Sequence, residues 1–325
     1  MMQKQRIEVI DYLRGFALLG ITIVNVFQVG TDYDSYISSL VIHSMESKFI
    51  YMFIFLLGLS SMLFMSSLKE RSEKANLIYI RRSGTLLLIG ISLVFVGIPS
   101  GGLFILYAIF GLIGFVFLRI PPMINIVVFI AIAILIYSTR DMVLIEAESS
   151  IVSLVGPLSM FSMVILGIFV GQISFYNQLQ RFKGLLVTAL VILLFLSYHF
   201  YSWAFTPINS LVMSLFYIVF FTILSMYIKG RRLFSFLIAY GRMSMSNFIV
   251  HTSFIYFYLM NNQSLTSSAL TLLNIALFII IIQIIYSNIW LKYFKMGPAE
   301  WIWRMGTYWK KIRIVDSVEK GSKRS

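Results

Sequence analysis

A chain of 325 residues that is 59% hydrophobic, only 12% charged and has a mean hydropathy of +0.89 cannot present a water-soluble surface, which excludes an ordinary globular domain. Its 26 Lys and Arg outweigh 13 Asp and Glu, for a net charge of +13, yet no basic segment is interleaved with aromatics away from the apolar runs, which argues against a nucleic-acid partner. Cysteine is absent, so neither a disulfide nor a thiolate metal site contributes, and no metal is expected.

Crossing a hydrocarbon core of roughly 30 Å takes about 20 helical residues, because every backbone N–H must be paired within its own helix. Ten such stretches follow one another, at 13–30, 48–67, 83–99, 102–118, 123–138, 151–174, 184–205, 208–228, 239–260 and 267–291. They are continuous runs rich in Leu, Ile and Phe rather than the alternating segments of about ten residues that a barrel would need. The fold class expected is therefore all-α: a polytopic transmembrane helix bundle of about ten spans, forming one domain over residues 1–325. The first run has no small-residue cleavage site and keeps Arg14 near its start, so it reads as a retained helix.

Charge tests that count independently. With ten spans, 24 of the 26 basic residues fall on one side and only Lys48 and Arg140 on the other. This puts both termini in the cytoplasm and faces a basic rim toward anionic lipid. The opposite side is acidic, with Asp32, Asp34, Glu46, Asp141, Glu146 and Glu148; its longest loop, 30–47, is large enough only for a re-entrant or lid segment.

Along the chain, the first polar feature is "VIDYLRGFALLGITIVNVFQ" at 9–28. Asp11, Arg14, Leu18, Thr22 and Asn25 recur at spacings of three and four and so share one inward face. One reading is an interfacial Asp11–Arg14 pair with Asn25 bonding a neighbouring helix. The other is that Arg14, whose guanidinium keeps its charge and offers a bidentate fork, holds a phosphate-bearing ligand at the inner mouth. Three histidines are left for proton chemistry. His43 lies in the first outer loop and reads as solvated; His199 lies in an aromatic interfacial belt; His251 shares a face with Ser244 and Asn247 near mid-membrane, where an ionisable group is costly. The tail from 297 to 325 begins at a Gly-Pro break, Gly297 and Pro298. In "GPAEWIWRMGTYWKK" Glu300 and Arg304 stand four apart and can pair, while Trp301, Trp303 and Trp309 suit a headgroup region. The tail reads either as an amphipathic cytoplasmic anchor or as a closure of the mouth that brings Arg304 or Arg242 to the ligand.

"LRGFALLGITIVN" at 13–25, "RRSGTLLLIG" at 81–90, "LYAIFGLIG" at 106–114, "GRMSMSNFIVHTSF" at 241–254 and "YFKMGPAEWIWRMGTYWK" at 293–310 together resemble the YeiB-like bacterial membrane proteins, a family filed as a domain of unknown function. The match spans nearly the whole chain. Asp11, Gly15, Asn247, Gly297, Pro298, Glu300, Trp301 and Arg304 all fall within or beside these motifs. The resemblance implies a bacterial cytoplasmic-membrane protein, distantly grouped with membrane acyltransferases that pass an acyl group from cytoplasmic acyl-CoA to an extracytoplasmic cell-envelope acceptor. The chain also departs from those patterns. Asn25 stands where the better-known acyltransferases have a catalytic His, Leu93 and Gly102 stand where this family favours a His and an Asp, and His251 stands where it more often has Gln.

The expectation carried forward is acyl transfer, with His251 and Asn25 as catalytic candidates and Arg14, Arg81, Arg82 and Arg242 holding acyl-CoA. Two other classes stay open: a secondary transporter with a midplane site at Asn25, Asn247 and His251, and a non-catalytic interaction protein, which would need no inward Arg.

Overall fold

The structure, a computed structural model, describes residues 8–30, 38, 41, 44–70, 74–139, 150–200, 206–228, 232–259, 261 and 268–315. His43, Arg140 and most of the loop 30–47 lie outside them. Among the described residues twelve α-helices run in chain order: α1 Glu8–Phe27, α2 Lys48–Lys69, α3 Ala75–Phe95, α4 Gly101–Phe117, α5 Pro122–Ser138, α6 Ser150–Gln172, α7 Lys183–His199, α8 Pro207–Ile228, α9 Arg232–Arg242, α10 Ser244–Phe254, α11 Ala269–Tyr293 and α12 Pro298–Tyr308. A 3-10 turn, Phe175–Asn177, follows α6, and a π turn, Ile255–Leu259, extends α10.

Among the described residues six helices are long and apolar enough to cross a membrane: α1, α2, α3, α6, α8 and α11. The apolar helices α4, α5 and α7 have 17 residues each, about 26 Å of rise, which is near the lower limit for a span. The ninth expected span needs correcting. Residues 239–260 are not one helix: the chain breaks at Met243 between α9 and α10. A break inside the protein requires new partners for the backbone groups it frees. Here Asn247 Nδ2 donates to the Tyr240 carbonyl, and the Glu300 carboxylate receives the Met245 and Ser246 amides.

Helix α1 is the hub, packing against α2, α8, α9, α10 and α11. It crosses α9 closely because small residues meet there: a Cβ on Gly15 would overlap the Leu237 carbonyl, and one on Gly241 the Asp11 carbonyl. Helix α2 lies against α6, α3 and α4 form a hairpin, and α12 folds back onto α3 and α10. The core runs through the contact of α1, α2, α6 and α8, with Tyr12, Leu13, Leu18, Met52, Ile54 and Met163 almost fully enclosed. The outward faces of α3, α5, α7 and α11 carry exposed large apolar side chains, Phe95, Met123, Phe195 and Phe278 among them, as lipid-facing helices do.

Candidate functional site

A cavity of about 680 Å³ opens at one end of the bundle, within the usual range for small-molecule sites of about 300–1,000 Å³. Helices α1, α2, α3, α4, α9, α10 and α12 all contribute to it. Arg14, Arg82, Arg242, Arg304 and Lys295 line it together with the acids Asp11 and Glu300; farther in, the walls are Phe53, Leu56, Leu86, Leu103, Phe104 and Phe248. Along α1 the lining runs from Ile10 to Ile21. Those eleven steps rise roughly 16 Å, about half the hydrocarbon thickness. The cavity therefore has a basic mouth and an apolar depth.

The two acids are already engaged by the protein. Asp11 Oδ1 accepts a 2.9 Å hydrogen bond from Arg14 Nη1, and Arg14 Nη2 donates to Ser60 Oγ. Glu300 Oε1 accepts from the amides of Met245 at 2.8 Å and Ser246 at 3.1 Å, while its Oε2 takes the Ser246 hydroxyl. A carboxylate from α12 thus caps the N-terminus of α10, where two of the orphan amides and the positive end of the helix dipole lie. Burial pushes the Glu300 carboxyl above the ordinary glutamate value, with those hydrogen bonds pulling the other way.

The arginines are less completely satisfied. Arg242 Nη2 donates to the Lys295 carbonyl at 3.0 Å. Arg82 lies between two rings, 4.3 Å from the Phe64 centroid and 4.6 Å from that of Trp303. Ring faces occupy the faces of a guanidinium and leave its N–H edge available. That edge meets no acceptor among the described residues, and Arg304, exposed at the mouth, makes no hydrogen bond or ion pair among them.

Several expected residues stand elsewhere. Arg81 does not line the cavity; it stacks 4.3 Å from the centroid of Trp309. Neighbours on a helix point about 100° apart, so Arg81 and Arg82 cannot both face one cavity. Nor does Glu300 pair with Arg304, because both its oxygens go to α10. Gly15 serves the α1–α9 crossing. Gly297 leaves room for Glu300 and Ser246, which a Cβ there would overlap, and Pro298 opens α12 at its first position. Trp301 lies off the cavity and donates from Nε1 to the Ile312 carbonyl at 2.7 Å. Helix α12 is not a detached anchor, since Trp303 Nε1 donates to the Arg82 carbonyl at 2.9 Å and Thr307 is buried. His199 is exposed at the end of α7 beside Phe200.

His251 and Asn25 come together, but outside the cavity. Asn25 Nδ2 lies 3.2 Å from His251 Nε2, and Thr22 Oγ1 lies 3.5 Å from His251 Nδ1. Tyr240 lies 3.4 Å from Thr22 and donates to Gln283 Oε1 at 3.0 Å; Gln283 donates to the Asn247 carbonyl, and Asn247 to Ser287, each at 2.8 Å. The network joins α1, α9, α10 and α11. It begins one residue past Ile21, and Phe248, which lines the cavity, stands edge-on to His251 with centroids 5.3 Å apart. Among the described residues no group of three His, Cys, Asp or Glu could hold a metal ion.

Sequence reasoning passed over Ser60, Phe64, Tyr107, Lys295 and Trp303 as lining residues. Ser60 and Tyr107 left a signal, a hydroxyl inside a largely apolar run. Residues 197–310, from the end of α7 through α12, match the family model described as "Protein of unknown function (DUF418)". The chain is 30% identical over 353 aligned residues to the "Uncharacterized 39.9 kDa protein in amylase 3'region" of Bacillus acidopullulyticus, covering 96% of each. It is also 36% identical over 80 residues to the "Uncharacterized protein YxaH" of Bacillus subtilis (strain 168), over 23% of this chain and 20% of that one. The family match includes Arg242, His251, Glu300 and Arg304 but stops short of Arg14 and Arg82.

Proposed function

Starting from a chain that belongs to the DUF418 family, the YeiB-like integral membrane proteins, we propose that it is a membrane acyltransferase that passes an acyl group from cytoplasmic acyl-CoA to an extracytoplasmic cell-envelope acceptor. The basic mouth is then the cytoplasmic one, in keeping with the distribution of Lys and Arg. The CoA phosphates meet Arg14, Arg82, Arg242 and Arg304, and the acyl chain extends among Leu56, Leu103, Phe104 and Phe248. The observation that carries this reading is the lining itself: four guanidiniums converge on one opening, two of them with N–H groups left for a ligand, above an apolar floor that reaches about half-way across the bilayer.

A transferase must also bring the thioester to an acceptor. His251 and Asn25 stand beyond the blind end, behind Phe248, as candidates for the acceptor side. There a neutral imidazole could take a proton once an acceptor displaced one of its present partners. Thermal melts of the purified protein test the donor site. CoA should raise the melting temperature, since a ligand at about 100 times its dissociation constant adds roughly 2.7 kcal/mol. Radiolabelled acyl-CoA with envelope extract should then show transfer. No shift at millimolar CoA ends the reading.

The helix break at Met243 favours transport as a second reading, because transporters place their sites where spanning helices are interrupted. Substrate-dependent proton uptake into liposomes, abolished by His251→Ala and joined to a null CoA melt, would establish that reading instead.

A further inference from the structure

We propose that the Tyr107 hydroxyl hydrogen-bonds a carbonyl of the arm linking the phosphates of the bound acyl donor to its acyl chain, making Tyr107 a positioning residue for that ligand. The inference rests on the acyl-CoA reading and deepens it.

Five interior tyrosines of this protein pair their hydroxyls. Tyr51 bonds Ser159, Tyr79 donates to the Gly111 carbonyl at 3.0 Å, Tyr217 to the Ser44 carbonyl at 2.9 Å and Tyr240 to Gln283 at 3.0 Å. Tyr176 lies 3.4 Å from Thr222. Tyr107 differs: it lines the cavity, and its hydroxyl meets no partner among the described residues. Its surroundings on that wall are Leu86, Leu103 and Phe104, with Phe104 edge-on to Phe248 at 5.6 Å. A phenol facing apolar walls needs a partner from whatever fills the space, because an unpaired polar group there is costly.

Its depth says which part of the ligand that is. Helices α3 and α4 are antiparallel, with Gly90 against Gly101 and Ile105, and Ser83 against Gly111. This register sets Tyr107 level with Leu86, roughly 6 Å, or one turn, inward of Arg82. A phosphate held at the level of the arginines leaves a group only a few bonds farther along the molecule at the level of Tyr107. In CoA that group is the first amide of the pantetheine arm, whose carbonyl is an acceptor flanked by aliphatic carbons. Leu103 and Phe104, four and three residues before Tyr107, share its helix face and meet those carbons. The acyl chain continues beyond them toward Phe248.

The test compares Tyr107→Phe with the wild type, using CoA and adenosine 3′,5′-bisphosphate, which keeps two phosphates and lacks the arm. The substitution preserves ring and packing, so the melt without ligand should be unchanged. CoA should bind about five-fold more weakly to Tyr107→Phe, the size of one neutral hydrogen bond, with the bisphosphate unaffected. Equal weakening of both ligands, or of neither, overturns the role of Tyr107 while leaving the CoA site standing. Failure of CoA to bind the wild type removes the acyl-CoA reading and this inference with it.

Discussion

The cavity and the polar network beyond its blind end are both built in part from α1 and α10, yet they treat polar atoms in opposite ways. In the network each of Thr22, Tyr240, His251, Gln283, Asn247 and Ser287 finds a partner within the protein, across helices that a bilayer alone would not hold together. In the cavity Arg82 and Arg304 keep donors that the protein leaves to something else. A buried polar group that is satisfied describes how helices are joined; one left open toward an enclosed space describes what that space accepts. The distinction separates residues that looked equivalent as isolated polar side chains in apolar runs.

The largest effect should come from breaking the cavity side. Arg82→Met with Arg304→Gln should lower CoA affinity at least about a hundred-fold, since hydrogen bonds to charged groups contribute about 1.5–3 kcal/mol each. The CoA-induced shift in melting temperature should vanish while the protein still folds; an unchanged shift would detach these arginines from the ligand. On the network side the pattern reverses. Asn247→Leu, which takes the donor from the buried Ser287 hydroxyl, should cost about 1–3 kcal/mol in a denaturant titration and leave CoA affinity alone.

Glu300 belongs to both regions, lining the cavity while holding α10. Glu300→Gln replaces a charged acceptor of two amides and a hydroxyl and should cost about 1–2 kcal/mol. It also changes the pH profile. Burial raises the folded-state pKa of Glu300 above its unfolded value, so its contribution is full below the ordinary glutamate pKa and is lost as pH rises through the raised one. In melts across that window, Glu300→Gln should lack this decline; identical wild-type and variant profiles would remove Glu300 from the titration. The smallest effect is expected at Arg81, which stacks on Trp309 away from the cavity. Arg81→Gln should change stability by about 0.5 kcal/mol or less and CoA binding not at all, in contrast with its neighbour Arg82.

How much was legible varies by element. The apolar runs located nine helices, and the spacing of Asp11, Arg14, Thr22 and Asn25 marked the inward face of α1, because hydropathy and helical period are local properties. The break at Met243 was not legible. It is held by a carboxylate 55 residues along the chain from the Met245 amide, and a hydropathy pattern carries no information about such partners. Arg81 and Arg82 were indistinguishable until the orientation of α3 was known. The i, i+4 spacing of Glu300 and Arg304 suggested a pair, but the open amides of α10 compete for the same carboxylate and win it. His251 was read from its cost in a membrane, whereas its neighbours Asn25 and Thr22 already meet both ring nitrogens.

The reach of Glu300 across to α10 also orders events during synthesis. Ser246 leaves the ribosome 54 residues before Glu300 does, and at about 5–20 residues per second the start of α10 waits for roughly 3–11 seconds without its acceptor. During that interval the amides of Met245 and Ser246 depend on water or the translocation machinery, and the mouth of the cavity has no α12 wall. The bundle is completed from its last helix backward. A chain ending before residue 300 would carry every apolar span and still lack the contact that secures the broken one.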